Sequence, residues 1–122
     1  MLFRSTLARW FTAPFLNSDT VARCAARLLQ QDVESWAAAW QAISRLDTLA
    51  KLGGISVPTL VVTGEQDVAA PPAAARAIAQ AIQGARLELL AGAPHMAPFE
   101  QPEPFESMVE AFLHEVDSVG SK

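Results

Sequence analysis

Two residues of types that work together in acid–base chemistry, Asp67 and His95, each follow a short apolar run. Residues 58–63 read PTLVVT and residues 85–90 read ARLELL, so Asp67 lies four residues past the first run and His95 five past the second. A carboxylate can accept a hydrogen bond from Nδ1–H of an imidazole, which leaves Nε2 free as a base, and imidazole side chains titrate near neutral pH. The spacing therefore predicts a paired carboxylate and imidazole, provided that both runs end at the same edge of one sheet.

The second half of the chain has the order strand, helix, strand. Residues 58–63 are apolar on both sides, as expected of a strand that is buried on both faces of a parallel sheet. Pro71 and Pro72 open a helix that Gly84 is expected to close, and residues 85–90 form the second strand. This order predicts a right-handed crossover between parallel strands. The carboxyl ends of such strands are where catalytic groups gather in open α/β sheets.

Helical patterns fill most of the remaining sequence. Residues 18–20, Ser-Asp-Thr, form a cluster of N-cap residues, and Asp32 is a further N-cap residue. Each precedes a segment with apolar residues at helical spacing. A last helix is predicted from about Pro102, with a frayed tail over residues 118–122. Residues 1–17 are mixed in character and interrupted by a proline, so an irregular segment is expected there.

Composition excludes several classes of function. The chain has 122 residues, of which 51% are hydrophobic, and a formal net charge of −4, which fits one small acidic domain with a packed core. Mild acidity without a basic run argues against binding to nucleic acid or to an anionic membrane surface. The single cysteine, Cys24, excludes an intrachain disulfide, and no His/Cys spacing suggests a metal or a cofactor site.

Targeting signals are also missing from the sequence. The first residues lack the continuous apolar core of a signal peptide, and no segment is long and apolar enough for a membrane span. A soluble cytoplasmic protein is the resulting expectation.

The segments GEQD after PTLVVT, and GAPHMAPFEQPEPF before the last helix, resemble the acid and histidine segments of the α/β-hydrolase fold. That family orders its triad as nucleophile, acid, histidine, so the resemblance gives Asp67 the acid position and His95 the histidine position. It covers residues 47–117, while RWFTAPF upstream resembles the end of the helical cap of 3-oxoadipate enol-lactonases. The resemblance implies a partial α/β-hydrolase fold, with a helical cap-like segment over residues 1–46 and a C-terminal β-α-β-α part over residues 47–122. Two parallel strands with flanking helices would then follow two cap-type helices.

The sequence departs from the family pattern at the nucleophile. In the family this residue sits in a Gly-x-Ser-x-Gly elbow, and no serine here lies between two glycines at that spacing. The His-Gly oxyanion segment is missing as well. The resemblance therefore implies hydrolysis of a small carboxylic ester or lactone only when a complementary N-terminal hydrolase segment supplies the serine. Activity of this chain alone is expected to be negligible.

Trp36, Trp40 and Met96 are the candidate substrate-binding residues. The two tryptophans lie one turn apart on an alanine-rich helix and could line an apolar pocket, and Met96 adjoins His95. Plain core packing explains all three equally well.

Two other interpretations stay open. Dehalogenases and epoxide hydrolases share the fold but use an aspartate nucleophile, and the sequence contains no nucleophile elbow that would separate these reactions. Alternatively, two parallel strands leave unpaired edges, so the chain could form a homodimer and act as an interaction module without catalysis.

Overall fold

The computed structural model describes residues 2–120 and shows helices first, then a β-α-β unit. In chain order the helices of this part are α1 (Leu2–Trp10), α2 (Asp19–Leu29), α3 (Val33–Ser44), α4 (Pro72–Ala81), α5 (Ala97–Glu100) and α6 (Pro102–Gly120). The strands are β1 (Leu60–Gly64) and β2 (Arg86–Leu90), and 3-10 turns cover Ala13–Asn17 and Leu49–Gly54. None of the helices within the described range combines the length and apolar character that crossing a bilayer requires.

The two strands pair in parallel, which confirms the α/β fold predicted from the sequence. Leu60 lies opposite Arg86 and Gly64 opposite Leu90, so both strands finish at one edge. α4 crosses between them and packs on both strands. This helix ends earlier than predicted, and Gly84 lies in the connection to β2 with a φ of +76°, a conformation that suits a residue without Cβ.

The predicted starts of α2 and α3 are confirmed by their caps. Ser18 Oγ accepts a hydrogen bond from the Val21 N–H at 3.2 Å. Asp32 Oδ2 accepts one from the Ser35 N–H at 2.8 Å. Both caps satisfy a backbone donor that the first helical turn leaves unpaired.

The prediction of an irregular segment over residues 1–17 is wrong for most of that range, of which residue 1 lies outside the described residues. α1 is helical because Leu7 and Phe11, one turn apart, pack with Val21 of α2 in a buried cluster. Pro14 comes after the end of α1 and lies in the first turn of the 3-10 segment, where its missing N–H leaves no hydrogen bond unmade.

The C-terminal region also departs from expectation in two places. The four-residue helix α5 between His95 and α6 was not predicted, since two prolines lie in and just after it. α6 continues past Ser118 to Gly120, so the predicted fraying is wrong up to that point. Residues 121 and 122 of the predicted tail lie outside the described residues.

A second buried cluster lies beneath the loop that follows β2. Leu90, Ala93 and Ala97 form it, and Phe105 and Met108 of α6 pack against them. The loop that carries His95 therefore rests on apolar side chains from β2 and from α6. This packing holds the loop at the carboxyl edge of the sheet.

Candidate active site

Asp67 lies in the loop that follows β1, with its side chain buried. It is only 6% exposed, and its Oδ1 atom accepts hydrogen bonds from the N–H groups of Ala69 at 2.8 Å and Ala70 at 2.7 Å. The Asp67 N–H in turn donates to the Gly64 carbonyl at 3.1 Å. A short polar side chain that bonds to the backbone two and three residues ahead forms a tight turn of its own. This turn fixes the carboxylate and aims Oδ2 away from the loop.

The structure brings His95 to that second carboxylate oxygen. Nδ1 of His95 lies 2.8 Å from Asp67 Oδ2, and the imidazole side chain is 33% exposed. Because an ionised carboxylate can only accept, Nδ1 carries the shared proton and Nε2 is left with its lone pair. A buried carboxylate behind a partly exposed imidazole is the arrangement that a general base held in one tautomer requires.

Backbone hydrogen bonds fasten the two loops together. The Glu65 N–H donates to the Leu90 carbonyl at 3.0 Å, and the Gln66 N–H donates to the Ala93 carbonyl at 2.9 Å. A side-chain bond adds to these, since Glu65 Oε2 accepts from the Gly92 N–H at 3.1 Å. The loop with Asp67 thus extends the pairing of β1 and β2 beyond the last strand residues.

Gly64, the last residue of β1, permits this close approach. A Cβ atom at Gly64 would lie 2.1 Å from the Ala93 carbonyl oxygen and 2.6 Å from the Pro94 carbonyl oxygen. Ala93 is fully buried, so the loop has no room to retreat. Glycine at this position is therefore a condition for the contact between the two loops.

Trp10 is the residue of this site to which the sequence analysis assigned no role. Its ring centroid lies 6.2 Å from that of His95, with the two planes tilted by 36°. Its backbone carbonyl accepts a hydrogen bond from the Met96 N–H at 2.9 Å. The only sequence signal was its place in RWFTAPF, the segment that resembles a cap end. The contact itself joins residues that are far apart in the chain.

A cavity of about 290 Å³ opens beside the Asp67–His95 pair. Apolar residues of β1 and α4 line it together with Phe105 and the two site residues. A second groove, of about 380 Å³, has Trp10, Phe99, Arg23 and Arg27 among the residues that line it. The pair thus has room for a small molecule on its cavity side.

The three predicted substrate-binding residues are not among those that line this cavity. Trp36 and Trp40 contact each other edge to face on α3, with ring centroids 6.1 Å apart, and Trp40 is 51% exposed. Met96 packs against the cluster of Leu7, Phe11 and Val21. No group of three or more His, Cys, Asp and Glu side chains within the described residues is arranged to hold a metal ion.

Residues 2–108 match the family model described as "Alpha/beta hydrolase family". The chain is 31% identical over 112 residues to 3-oxoadipate enol-lactonase 2 of Acinetobacter baylyi. The aligned region covers 90% of this chain and 42% of that relative. Enol-lactonase 1 of the same organism is 29% identical over 117 residues, with 94% of this chain and 44% of the relative covered.

Solved structures agree with these matches. The enol-lactonase from Burkholderia xenovorans LB400 superposes with a TM-score of 0.87 at 37% identity, over 93% of this chain and 44% of that chain. A hydrolase from Pseudomonas aeruginosa PA01 superposes with a TM-score of 0.86 at 32% identity, over 92% of this chain and 43% of that chain. The resemblance predicted from the sequence is therefore confirmed. The chain spans less than half the length of the curated relatives that it matches.

Proposed function

Because the chain belongs to the alpha/beta hydrolase family, we propose that Asp67 and His95 are the acid and the base of a Ser-His-Asp triad. The reaction is hydrolysis of a small carboxylic ester or lactone, of the kind that the enol-lactonase relatives are named for. The observation that carries the proposal is the 2.8 Å contact between His95 Nδ1 and a buried Asp67 oxygen. It supports a single tautomer of the imidazole, which general-base catalysis needs.

The chemistry follows from that tautomer. Nε2 of His95 takes the proton of a serine hydroxyl as the oxygen attacks the substrate carbonyl, and the resulting imidazolium is stabilised by the Asp67 carboxylate. The imidazolium then returns the proton to the departing alkoxide, which leaves an acyl-serine. A water molecule repeats the cycle, with its proton passing through Nε2, and releases the carboxylic acid and the free serine.

The serine is proposed to come from a complementary N-terminal hydrolase segment. The relatives are more than twice as long as the matched region, and this sequence contains no Gly-x-Ser-x-Gly elbow. The exposed apolar side chains of α3 also support a partner that packs against this helix, because Val33 is 78% exposed and Trp40 and Ile43 are more than half exposed. Apolar side chains on one helix face normally pack against another element. Under this proposal Trp36 and Trp40 contribute to the substrate pocket only when that segment is bound.

A hybrid protein tests the proposal. The part of the Burkholderia xenovorans enol-lactonase that this chain does not cover is joined to residues 1–122, and hydrolysis of p-nitrophenyl acetate is followed. We expect hydrolysis that His95→Ala abolishes. His114→Ala, a change at an exposed histidine of α6, is the matched control and should leave the rate intact. A folded hybrid without hydrolysis, or one that His95→Ala does not affect, would overturn the proposal.

Self-association without catalysis is the second candidate. It is favoured by the same exposed face of α3 and by the two-stranded sheet, whose outer edges have no strand partner within residues 2–120. Size-exclusion chromatography with light scattering distinguishes the two. A stable dimer that does not dissociate when the complementary segment is added favours this candidate, and a one-to-one complex with that segment favours the hydrolase.

A further inference from the structure

The loop that carries His95 is attached to the helical segment of the chain as well as to the Asp67 loop. Thr12 follows α1, and its N–H donates to Glu100 Oε2 at 3.0 Å. The Thr12 hydroxyl donates to the other oxygen of the same carboxylate. Both bonds join residues that lie 88 positions apart in sequence. One carboxylate therefore accepts two hydrogen bonds from a single residue, and charge-assisted bonds of this kind are stronger than neutral ones.

Helix α5 transmits this attachment to His95. Glu100 is the last residue of α5, and its N–H donates to the carbonyl of Met96, the residue next to His95, at 3.1 Å. The Met96 N–H donates to the Trp10 carbonyl, and its side chain packs on the cluster of Leu7 and Phe11. The segment from Met96 to Glu100 is thus attached at one end to Trp10, the last residue of α1, and at the other to Thr12, which follows it.

We propose that Thr12 and Glu100 form a positioning pair, through which the segment after α1 sets the orientation of the His95 imidazole toward Asp67. Hydrogen bonds from the Asp67 loop hold the chain on the N-terminal side of His95, at Gly92 and Ala93. The Thr12–Glu100 bonds hold it on the C-terminal side. The kinetic consequence rests on the proposed function, whereas the orientation of the ring does not depend on it.

The test replaces Glu100 by glutamine in the 122-residue chain. Glu100→Gln keeps the shape but removes the charge. Its single amide oxygen can accept from the Thr12 N–H, but its NH2 group can only donate, to the Thr12 hydroxyl, so neutral bonds replace the charge-assisted ones and the attachment weakens. Long-range 1H–15N NMR spectra then report the tautomer of the His95 ring, and hydrogen exchange reports the Met96 amide. We expect a displaced, mixed-tautomer His95 signal and faster exchange at Met96. Glu103→Gln, at an exposed first-turn residue of α6, should change neither readout.

Two further variants keep the test decisive if Glu100→Gln fails to fold. Thr12→Val removes the hydroxyl donor and leaves the backbone N–H, so it should displace the His95 signal by a smaller amount. Thr12→Ser restores the hydroxyl and should restore the wild-type signal. If Glu100→Gln and Thr12→Val both fold and both give the wild-type His95 spectrum, the proposal is overturned. If Glu100→Gln is unfolded, a wild-type His95 spectrum in Thr12→Val overturns it.

Kinetics of the hybrid protein provide a second readout. Because misplacement of a catalytic group costs up to about 100-fold in rate, Glu100→Gln should lower kcat by about tenfold with little change in KM. A merely structural effect would instead lower the active fraction and leave the turnover of folded protein unchanged, which would contradict the proposal. If the wild-type hybrid is inactive while the His95 spectra respond as expected, the proposed function fails and the positioning role stands.

Discussion

His95 Nδ1 and Asp67 Oδ2 lie 2.8 Å apart across two loops, and backbone groups of its own loop also hold the carboxylate. One of its oxygens is occupied by the N–H groups of Ala69 and Ala70, so only the other faces the ring. The acid thus has a set direction as well as a set position. This division of the two oxygens is the basis of the first prediction.

Asp67→Asn should disable the hybrid protein without unfolding it. The amide oxygen can still accept from Ala69 and Ala70, but its NH2 group then faces Nδ1 of His95. The ring responds by moving its proton to Nε2, which can no longer act as a base. Loss of the acid's charge and of the right tautomer lowers kcat by roughly 10⁴-fold in a Ser-His-Asp triad, and ester hydrolysis should fall on that scale.

The control for this change is Asp47→Asn, at an exposed aspartate in the connection before β1. It should leave hydrolysis unchanged. A hybrid with Asp67→Asn that keeps most of its activity would mean that Asp67 does not orient the base.

Gly64→Ala should destabilise the protein and separate the two loops. The new Cβ would lie 2.1 Å from the Ala93 carbonyl oxygen, and that oxygen also accepts the bond from the Gln66 N–H. Forcing extra atoms into a packed site costs about 1–3 kcal/mol. We expect a loss of this size in the free energy of unfolding, measured with urea.

Gly54→Ala is the matched glycine control, because no atom lies within 4 Å of a Cβ placed there. Its free energy of unfolding should stay close to that of the wild type. Equal stability of the two variants would contradict the close approach at Gly64.

Ser18→Ala should weaken the start of α2. The hydroxyl oxygen accepts from the Val21 N–H, and Val21 belongs to the buried cluster that holds α1 against α2. Loss of such an N-cap costs about 1 kcal/mol. Urea unfolding should show that loss, whereas Ser56→Ala, at an exposed serine before β1, should show none.

The stability of the protein should depend on pH through Asp32. The hydrogen bond from the Ser35 N–H lowers the pKa of the Asp32 carboxyl from its ordinary value of 3.8, and a hydrogen bond with the Ser35 side chain lowers it further. The unfolded chain therefore takes up this proton at a higher pH than the folded chain does. The stabilisation is complete above the ordinary value and is lost as pH falls through the lowered one.

Asp32→Asn isolates this effect, since asparagine caps a helix about as well but does not titrate. Urea midpoints of both proteins, measured from neutral pH down to about pH 2, should show the wild type losing its advantage over the variant as the pH falls. Parallel curves would show that the cap does not contribute to the acid sensitivity.

The features that the sequence predicted are those encoded within short stretches. The strand runs, the proline-started helix between them and the caps at Ser18 and Asp32 all depend on neighbouring residues. Parallel pairing then follows from the order of elements, and it places Asp67 and His95 at the same edge. Their separation of 28 residues is spanned by one crossover.

The features that the sequence did not predict depend on contacts between distant residues. α1 is stabilised because Leu7 and Phe11 pack against Val21, and no pattern within residues 1–17 predicts this contact. The contact of Trp10 with His95 and the bonds between Thr12 and Glu100 have the same origin. A glycine at the end of a strand is unremarkable in sequence, and only the Ala93 carbonyl shows why Gly64 cannot carry a side chain.

The proton on the His95 imidazole is the most direct test of the account. Long-range 1H–15N NMR of the 122-residue chain, at a pH where the ring is neutral, shows which nitrogen carries it. The geometry predicts a proton on Nδ1, hydrogen-bonded to Asp67, and its transfer to Nε2 in Asp67→Asn. A wild-type ring that is protonated at Nε2, or a spectrum that Asp67→Asn leaves unchanged, would contradict a base held by this carboxylate.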